Sequence, residues 1–163
     1  VEVVFYQLAE YNGLRPVTEP QGHCLDQQPI AIDCYTPNPD FLVLDKAGEE
    51  GASGTENVTE TLYSHLLRTN CPVTDQPDWA SVYISYQGAA IDRAGLLKYL
   101  VSFRQHQDFH EQCVEKIYGD IMQRCQPTQL DVYARYMRRG GLDINPFRSS
   151  RYPFPPSHRQ VRQ

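Results

Sequence analysis

The feature that most constrains the fold is a change of hydrophobic period along residues 61–150. Residues 80–87 and 130–137 alternate apolar and polar or small side chains with the period of two that is typical of strands. Between them, residues 92–106 and 108–125 carry apolar side chains three or four apart, which is typical of helices. Two consecutive helices are therefore predicted between two sets of strands.

The flanking segments extend this pattern to four strands. Residues 61–70 are short and run into Pro72, which favours a strand over a helix. Residues 142–147 follow the pair Gly140-Gly141 and can return beside 130–137 as a hairpin. The order strand-strand-helix-helix-strand-strand predicts an α+β fold, with two helices on one face of an antiparallel four-stranded sheet. The other face must be covered, and oligomerisation would cover it.

Both helices have candidate N-caps. Asp92 stands immediately before the first helical pattern, and Asp108 stands before the second. Asp108 and Glu111 are also spaced like the two members of a reciprocal capping box. Glu111 at a helix start would alternatively remain ionised and accept two N–H bonds from a purine-like ring.

The chain divides into four stretches. Residues 1–10 are predicted to form a strand, and residues 11–60 a connecting segment that contains many prolines and polar residues. Residues 61–150 form the organised unit, and residues 151–163 form an extended tail rich in Pro and Arg.

Composition narrows the class of protein. The chain has 163 residues, of which 40% are hydrophobic and 21% charged, and its apolar runs are short, so neither a disordered chain nor a membrane span is expected. Five cysteines without a CxxC pair argue against a disulfide framework and a zinc knuckle. These features favour a cytoplasmic protein.

Charge is distributed unevenly. Residues 1–60 carry two basic and eleven acidic side chains, whereas residues 124–163 carry eight Arg and two Asp. The basic end could bind an anionic ligand or nucleic acid. Alternatively, it could pair electrostatically with the acidic end, within the fold or across a subunit interface.

Cys71 is the strongest candidate for a reactive group. It lies in a polar, proline-bounded loop between two predicted strands, unlike Cys113 and Cys125, which fit the buried face of a helix. Asp75 and Asp78 follow closely enough to donate protons to whatever Cys71 attacks. His106 and His110 have the spacing of a zinc-binding pair, but the predicted helix start between them separates their faces, so no metal site is expected.

Four segments together resemble the NADPH-dependent 7-cyano-7-deazaguanine reductases, the nitrile reductases of queuosine biosynthesis. They are Cys71–Trp79, Ser102–Arg104, Phe109–Cys113 and Tyr133–Pro146. The resemblance is to the long, tandem-repeat subfamily, covers essentially the whole chain and implies the tunnelling fold (T-fold), a barrel completed by oligomerisation. It also implies a homo-oligomer that acts on the free base, without direct contact with nucleic acid or membrane.

The same resemblance implies a role for each matching residue. Cys71 would add to the nitrile carbon of 7-cyano-7-deazaguanine as a covalent thioimide, and Asp78 would serve as general acid and base. Glu111 would bind the amidine edge of the deazaguanine, with His110 and Phe109 beside the reacting carbon. NADPH would supply two hydrides, and Arg139 would lie near the cofactor phosphates.

One departure from the family is clear in the sequence. A Glu-Ser-Lys-Ser run leading to Lys and an aromatic residue is absent, and none of Lys46, Lys98 and Lys116 lies in such a setting. In tandem members that run lies in the N-terminal half, and residues 1–10 resemble the last strand of that half. The expectation is therefore a C-terminal portion of a longer enzyme, which needs the N-terminal half as its partner and is inactive alone.

Two other functions remain open from the residues. A zinc-dependent T-fold enzyme acting on a pterin or GTP would require Cys and His ligands that converge on one ion. A non-catalytic T-fold assembly module would leave Cys71 and Glu111 with structural roles only.

Overall fold

A five-stranded sheet forms the centre of the computed structural model, which describes residues 17–18, 21–45, 57–152 and 159–160. The strands are β1 (Val17–Thr18), β2 (His23–Cys24), β3 (Asn57–Asn70), β4 (Pro77–Ala89), β5 (Gln129–Tyr136), β6 (Phe147–Ser149) and β7 (Arg159–Gln160). The order in the sheet is β2-β3-β4-β5-β6, with β2 parallel to β3 and every other pair antiparallel. β1 and β7 pair with each other as a separate parallel ribbon.

The alternating pattern places one face of the sheet in the core. In β4 the side chains of Val82, Ile84 and Tyr86 are buried against the helices, as the period of two predicts. In β3 the register against β4 shifts between Ser64 and Leu67, which is a β-bulge. The bulge lets this 14-residue strand continue to Cys71 while its apolar side chains still face inward.

Two helices, α1 (Arg93–Val101) and α2 (His110–Cys125), cover that face. A 3-10 turn, Ser102–Gln105, links them. Asp92 caps α1 as predicted, because its Oδ2 accepts a hydrogen bond from the Gly95 amide at 2.6 Å. Neither helix is long and apolar enough, among the described residues, to cross a membrane.

The start of α2 differs from the prediction. Phe109 occupies the N-cap position, and within the described residues no side chain caps this helix. Asp108 lies one residue too early and accepts a hydrogen bond from the Phe109 amide at 3.0 Å. The predicted capping box between Asp108 and Glu111 is therefore wrong, and Glu111 in the first turn is left available for another contact.

The stretch predicted as connection contributes to the core. Leu25 and Leu42 are 0% and 1% exposed, respectively, and pack with the apolar residues of the sheet and the helices. The Asp92 amide donates to the Val43 carbonyl at 2.9 Å, which fixes residues 39–44 beside α1. Among the described residues of this stretch that precede β3, the elements are two-residue strands and a 3-10 turn, Pro39–Phe41, so hydrophobic period could not reveal them.

The predicted element order is confirmed by β3, β4, α1, α2, β5 and β6. The sheet has five strands rather than four because β2 adds to the outer edge of β3. The return strand after Gly140-Gly141 forms later than predicted, at Phe147–Ser149. The strand predicted at residues 1–10 lies outside the described residues, as does most of the tail.

Candidate active site

A tight loop between β3 and β4 presents Cys71. The Cys71 amide donates to the Gln76 carbonyl at 2.9 Å, and the Asp75 amide donates to the Cys71 carbonyl at 3.0 Å. Asp75 completes the turn with a left-handed backbone, φ 56°, a conformation that Asp tolerates better than most residues. The loop therefore holds Cys71 at the end of β3 rather than leaving it on a free segment.

The surroundings of the Cys71 sulfur favour the thiolate. Hydrogen bonds from the Thr74 hydroxyl and from the backbone N–H groups of Thr74 and Val73 lower the pKa of Cys71 from 9.0 to about 7, with a smaller contribution from Arg139. Thiolate, not thiol, is the nucleophilic form of cysteine. In contrast, burial raises the pKa of Cys113 to about 12 and that of Cys125 to about 11.

Asp78, the second residue of β4, is a buried carboxylate with two partners. It is 2% exposed. Its Oδ2 lies 3.1 Å from His110 Nε2, and its Oδ1 accepts from Arg139 at 2.8 Å (Nε) and 2.6 Å (Nη2). A buried charge requires such partners, because desolvation of an unpaired carboxylate is costly.

Arg139 ties Asp78 to the Cys71 loop. Its Nη1 lies 3.2 Å from the Thr74 hydroxyl, and its Nη2 lies 3.4 Å from the Gln76 carbonyl. The Asp78 carboxylate raises the pKa of the Arg139 guanidinium. The side chain reaches this position because Gly140 and Gly141 adopt positive φ, 56° and 85°, and turn the chain so that Arg139 and Leu142 exchange backbone hydrogen bonds.

His110 brings α2 to the same point. It is the first residue of α2, and its imidazole stacks on the Tyr136 ring with centroids 3.8 Å apart and an angle of 6° between the planes. His110 Nδ1 is buried and has no hydrogen-bond partner among the described residues. The structure therefore brings His110 and Arg139 into contact with Asp78, and Cys71 is linked to this group through Thr74 and Arg139.

Phe109 and Glu111 lie on either side of His110 in the chain and remain exposed. Phe109 is 53% exposed, which is high for an aromatic side chain that serves only the core. Trp79 and Met137 are also exposed, at 41% and 43%, next in sequence to Asp78 and Tyr136, respectively. Because successive side chains of a strand project from opposite faces, Trp79 and Met137 lie on the other face of the sheet from Asp78 and Tyr136. The exposed apolar side chain beside His110 is thus Phe109, and substrate contacts by Phe109 and Glu111 stay predictions.

The sequence reasoning missed Thr74, Tyr136 and the pairing of Arg139 with Asp78. Thr74 could have been found, because a hydroxyl three residues after a loop cysteine is a natural sulfur partner. Tyr136 looked like one more inward side chain of an alternating strand. Arg139 is observed to pair with Asp78, and its predicted contact with the cofactor phosphates remains a prediction.

The described residues contain no group of three or more His, Cys, Asp or Glu side chains that could hold a metal ion. His106 precedes α2 and lies 3.5 Å from Asp108 through Nε2, whereas His110 faces Asp78. The two imidazoles therefore serve different carboxylates.

A cavity of about 430 Å³ lies elsewhere, toward the opposite end of the sheet. Its wall includes Ser85, seven residues beyond Asp78 in β4, or about 23 Å along the strand. The charged groups there are already paired, Arg151 with Asp131 and Glu60 with Arg93. No cysteine lines this cavity, and it is separate from the Cys71 cluster.

Comparison with known proteins supports the fold and points to one family. Residues 77–153 match the family described as QueF-like protein. The crystal structure of the archaeosine synthase QueF-Like in the apo form is similar to this chain, with a TM-score of 0.51 and 16% identity over 60% of this chain and 96% of that chain. The predicted α+β T-fold class is confirmed by this likeness. The family match includes Asp78, His110, Glu111 and Arg139, whereas Cys71 precedes it.

Proposed function

We propose that this chain, whose residues 77–153 match the QueF-like family, works in the queuosine or archaeosine branch of tRNA modification. Its reaction is the NADPH-dependent reduction of the nitrile of 7-cyano-7-deazaguanine to the aminomethyl group. The observation that carries the proposal is the joint presence, at one end of the sheet, of a thiol whose pKa is about 7 and a buried carboxylate held by Arg139 and His110.

The covalent step uses the groups of this chain. The Cys71 thiolate attacks the nitrile carbon, a C–S bond forms, and one π bond of the nitrile breaks toward nitrogen. That nitrogen takes the one proton that the Cys71 thiol gives up when it ionises, and we propose that the Asp78 carboxylate, beside His110, transfers it. The product is a neutral thioimide attached to Cys71.

Charges and hydrogen bonds at the cluster stabilise both the Cys71 thiolate and the Asp78 carboxylate. The hydrogen bonds of Thr74 stabilise the attacking thiolate. Arg139 stabilises the ionised Asp78 carboxylate, which accepts that proton and passes it on, and it also bonds to Thr74 in the Cys71 loop. The Arg139 guanidinium thus contacts both Asp78 and the loop that carries Cys71.

The exposed side chains beside His110 suit a flat, polar base. Phe109 offers an aromatic face for stacking, and the Glu111 carboxylate could accept two N–H bonds from the amidine edge of the ring. The Arg138-Arg139 pair supplies positive charge suited to a dinucleotide phosphate, since Arg139 keeps 34% of its side chain exposed. NADPH, when bound, supplies the two hydrides. We propose that a partner, the N-terminal half of a tandem enzyme or another copy, covers the exposed apolar side chains and completes the cofactor site.

Adduct formation without NADPH tests the proposal. The purified chain is incubated with 7-cyano-7-deazaguanine and examined by intact mass and by thioimide absorbance. We expect one added ligand mass that maps to Cys71, its loss in Cys71→Ala, and its retention in the matched variant Cys34→Ala. An adduct that persists in Cys71→Ala, or a folded wild-type chain with no adduct, would contradict the proposal.

A further inference from the structure

The side chain stacked on His110 comes from the last residue of β5. Tyr136 is fully buried, and its backbone amide donates to Asn145 Oδ1 at 3.1 Å. The strand and this side-chain contact fix the Tyr136 backbone, and the surrounding core fixes its ring. His110 therefore rests on a surface that cannot move independently of β5.

The contact is closer than ordinary aromatic packing. The two ring centroids are 3.8 Å apart, whereas aromatic pairs usually have centroids about 4.5–7 Å apart. At 6° between planes, the imidazole lies flat on the phenol ring. Rotation of the imidazole out of this plane would drive it into Tyr136.

The Tyr136 hydroxyl does not ionise near neutral pH. Burial, above all, raises the pKa of Tyr136 well above its usual value, and its polar neighbours are Thr69 and Cys113. The phenol thus stays protonated and neutral. What Tyr136 offers His110 is the flat face of its ring.

We propose that Tyr136 is a positioning residue that acts through His110. Its ring fixes the imidazole plane so that Nε2 lies in line with Asp78 Oδ2, at 3.1 Å, while Nδ1 points into the protein without a partner among the described residues. The neutral imidazole in this orientation carries its proton on Nε2, because that proton is donated to Asp78. The value of this orientation for chemistry rests on the proposed function, whereas the orientation itself does not.

Two substitutions separate the ring face from the hydroxyl. Tyr136→Phe keeps the face and removes the hydroxyl, whereas Tyr136→Leu removes the face and keeps apolar bulk. Phe103→Leu is the matched control, because Phe103 is a fully buried aromatic residue that packs on Tyr99 and His106 rather than on His110. Tyr136→Met replaces Tyr136→Leu if the latter does not fold.

The first measurement is ¹⁵N NMR of the histidine-labelled full chain, which distinguishes the two neutral tautomers of His110. We expect the Nε2-protonated form in the wild type, Tyr136→Phe and Phe103→Leu, and a clear share of the Nδ1-protonated form in Tyr136→Leu. An unchanged tautomer in Tyr136→Leu overturns the proposal, and so does an equal change in Phe103→Leu or Tyr136→Phe.

The second measurement is the rate of nitrile addition to Cys71. At saturating nitrile we expect Tyr136→Leu to slow adduct formation about tenfold, as expected when a reacting group is slightly misplaced, while the half-saturating concentration changes less than about twofold. Equal losses in Tyr136→Leu and Phe103→Leu would overturn the positioning role. If the wild type forms no adduct, the proposed function fails, and the NMR result still decides the positioning of His110.

Discussion

At the scale of single residues, the chemistry of Cys71 depends on donors from its own turn. Thr74 and the backbone amides of Val73 and Thr74 lower its pKa to about 7, and Arg139 adds a smaller effect. The thiolate form of Cys71 is thus more stable in the folded protein than in the unfolded chain. This contribution to stability is lost as the pH falls through about 7, and it is present in full above the unfolded value of 9.0.

Alkylation of Cys71 should follow that titration. We expect the rate of reaction with iodoacetamide, read at the Cys71 peptide by mass spectrometry, to rise with a midpoint near pH 7. In Thr74→Val the midpoint should move toward 9.0, because the largest lowering contribution is removed. Thr74→Ser keeps the hydroxyl and should retain the wild-type midpoint. A midpoint that is the same in all three proteins would show that Thr74 does not control the thiol.

Single residues were also where sequence reasoning had the clearest limits. Cys71 stood out because a cysteine in a polar loop is unusual, and Asp78 stood out by its nearness in the chain. The pairing of Asp78 with Arg139 spans 61 positions and depends on strand register and on a glycine turn. A local sequence pattern therefore could not predict that these two side chains pair.

At the scale of elements, helix ends were predicted less well than helix interiors. The apolar residues of α1 and α2 were sufficient to place both helices. The buried face of α2 follows the 3.6-residue period, whereas α1 is buried around most of its circumference. The cap of α2 was misplaced by one residue, since Asp108 bonds to the Phe109 amide instead of capping the first turn. Phe109 at that position leaves the helix start without a side-chain cap among the described residues and leaves its ring exposed.

The residue that follows the C-terminal end of α2 has a strained backbone conformation, which a glycine would relieve. Gln126 follows the helix with φ 49°, a left-handed conformation that costs a non-glycine residue about 1 kcal/mol. We expect Gln126→Gly to raise the free energy of unfolding by about that amount, measured by urea titration. In the last turn of the same helix, Gln123→Gly at an exposed position should instead lower it, by up to about 1 kcal/mol. Losses at both positions would argue against the left-handed end.

At the scale of the whole molecule, residues 21–45 are part of the domain rather than a passive connection. Leu25 packs beneath the sheet edge after β2, and Leu42 packs beside α1. Neither lies in a long periodic element, so their burial depends on tertiary contacts that hydrophobic period does not report. The order of strands and helices could be predicted, and this return of the chain over the helices could not.

Truncation of Leu42 tests that view. Leu42→Ala should lower the free energy of unfolding by about 2–5 kcal/mol, because it removes a fully buried side chain and leaves a cavity. The neighbouring Val43 is 47% exposed, and Val43→Ala should change stability by about 0.5 kcal/mol at most. Urea unfolding of both variants measures the difference. Similar small effects would mean that residues 39–44 are not part of the cooperative core.

The double contact of Arg139 has a thermodynamic consequence for the whole site. The same guanidinium holds the Asp78 carboxylate and the Thr74 hydroxyl that stabilises the Cys71 sulfur. An anion that draws Arg139 toward itself therefore weakens the donors around the sulfur, and reciprocity requires that a change at the sulfur alter the affinity for the anion by the same factor. Binding of an anion at Arg139 and the ionisation of Cys71 are thus coupled through one side chain.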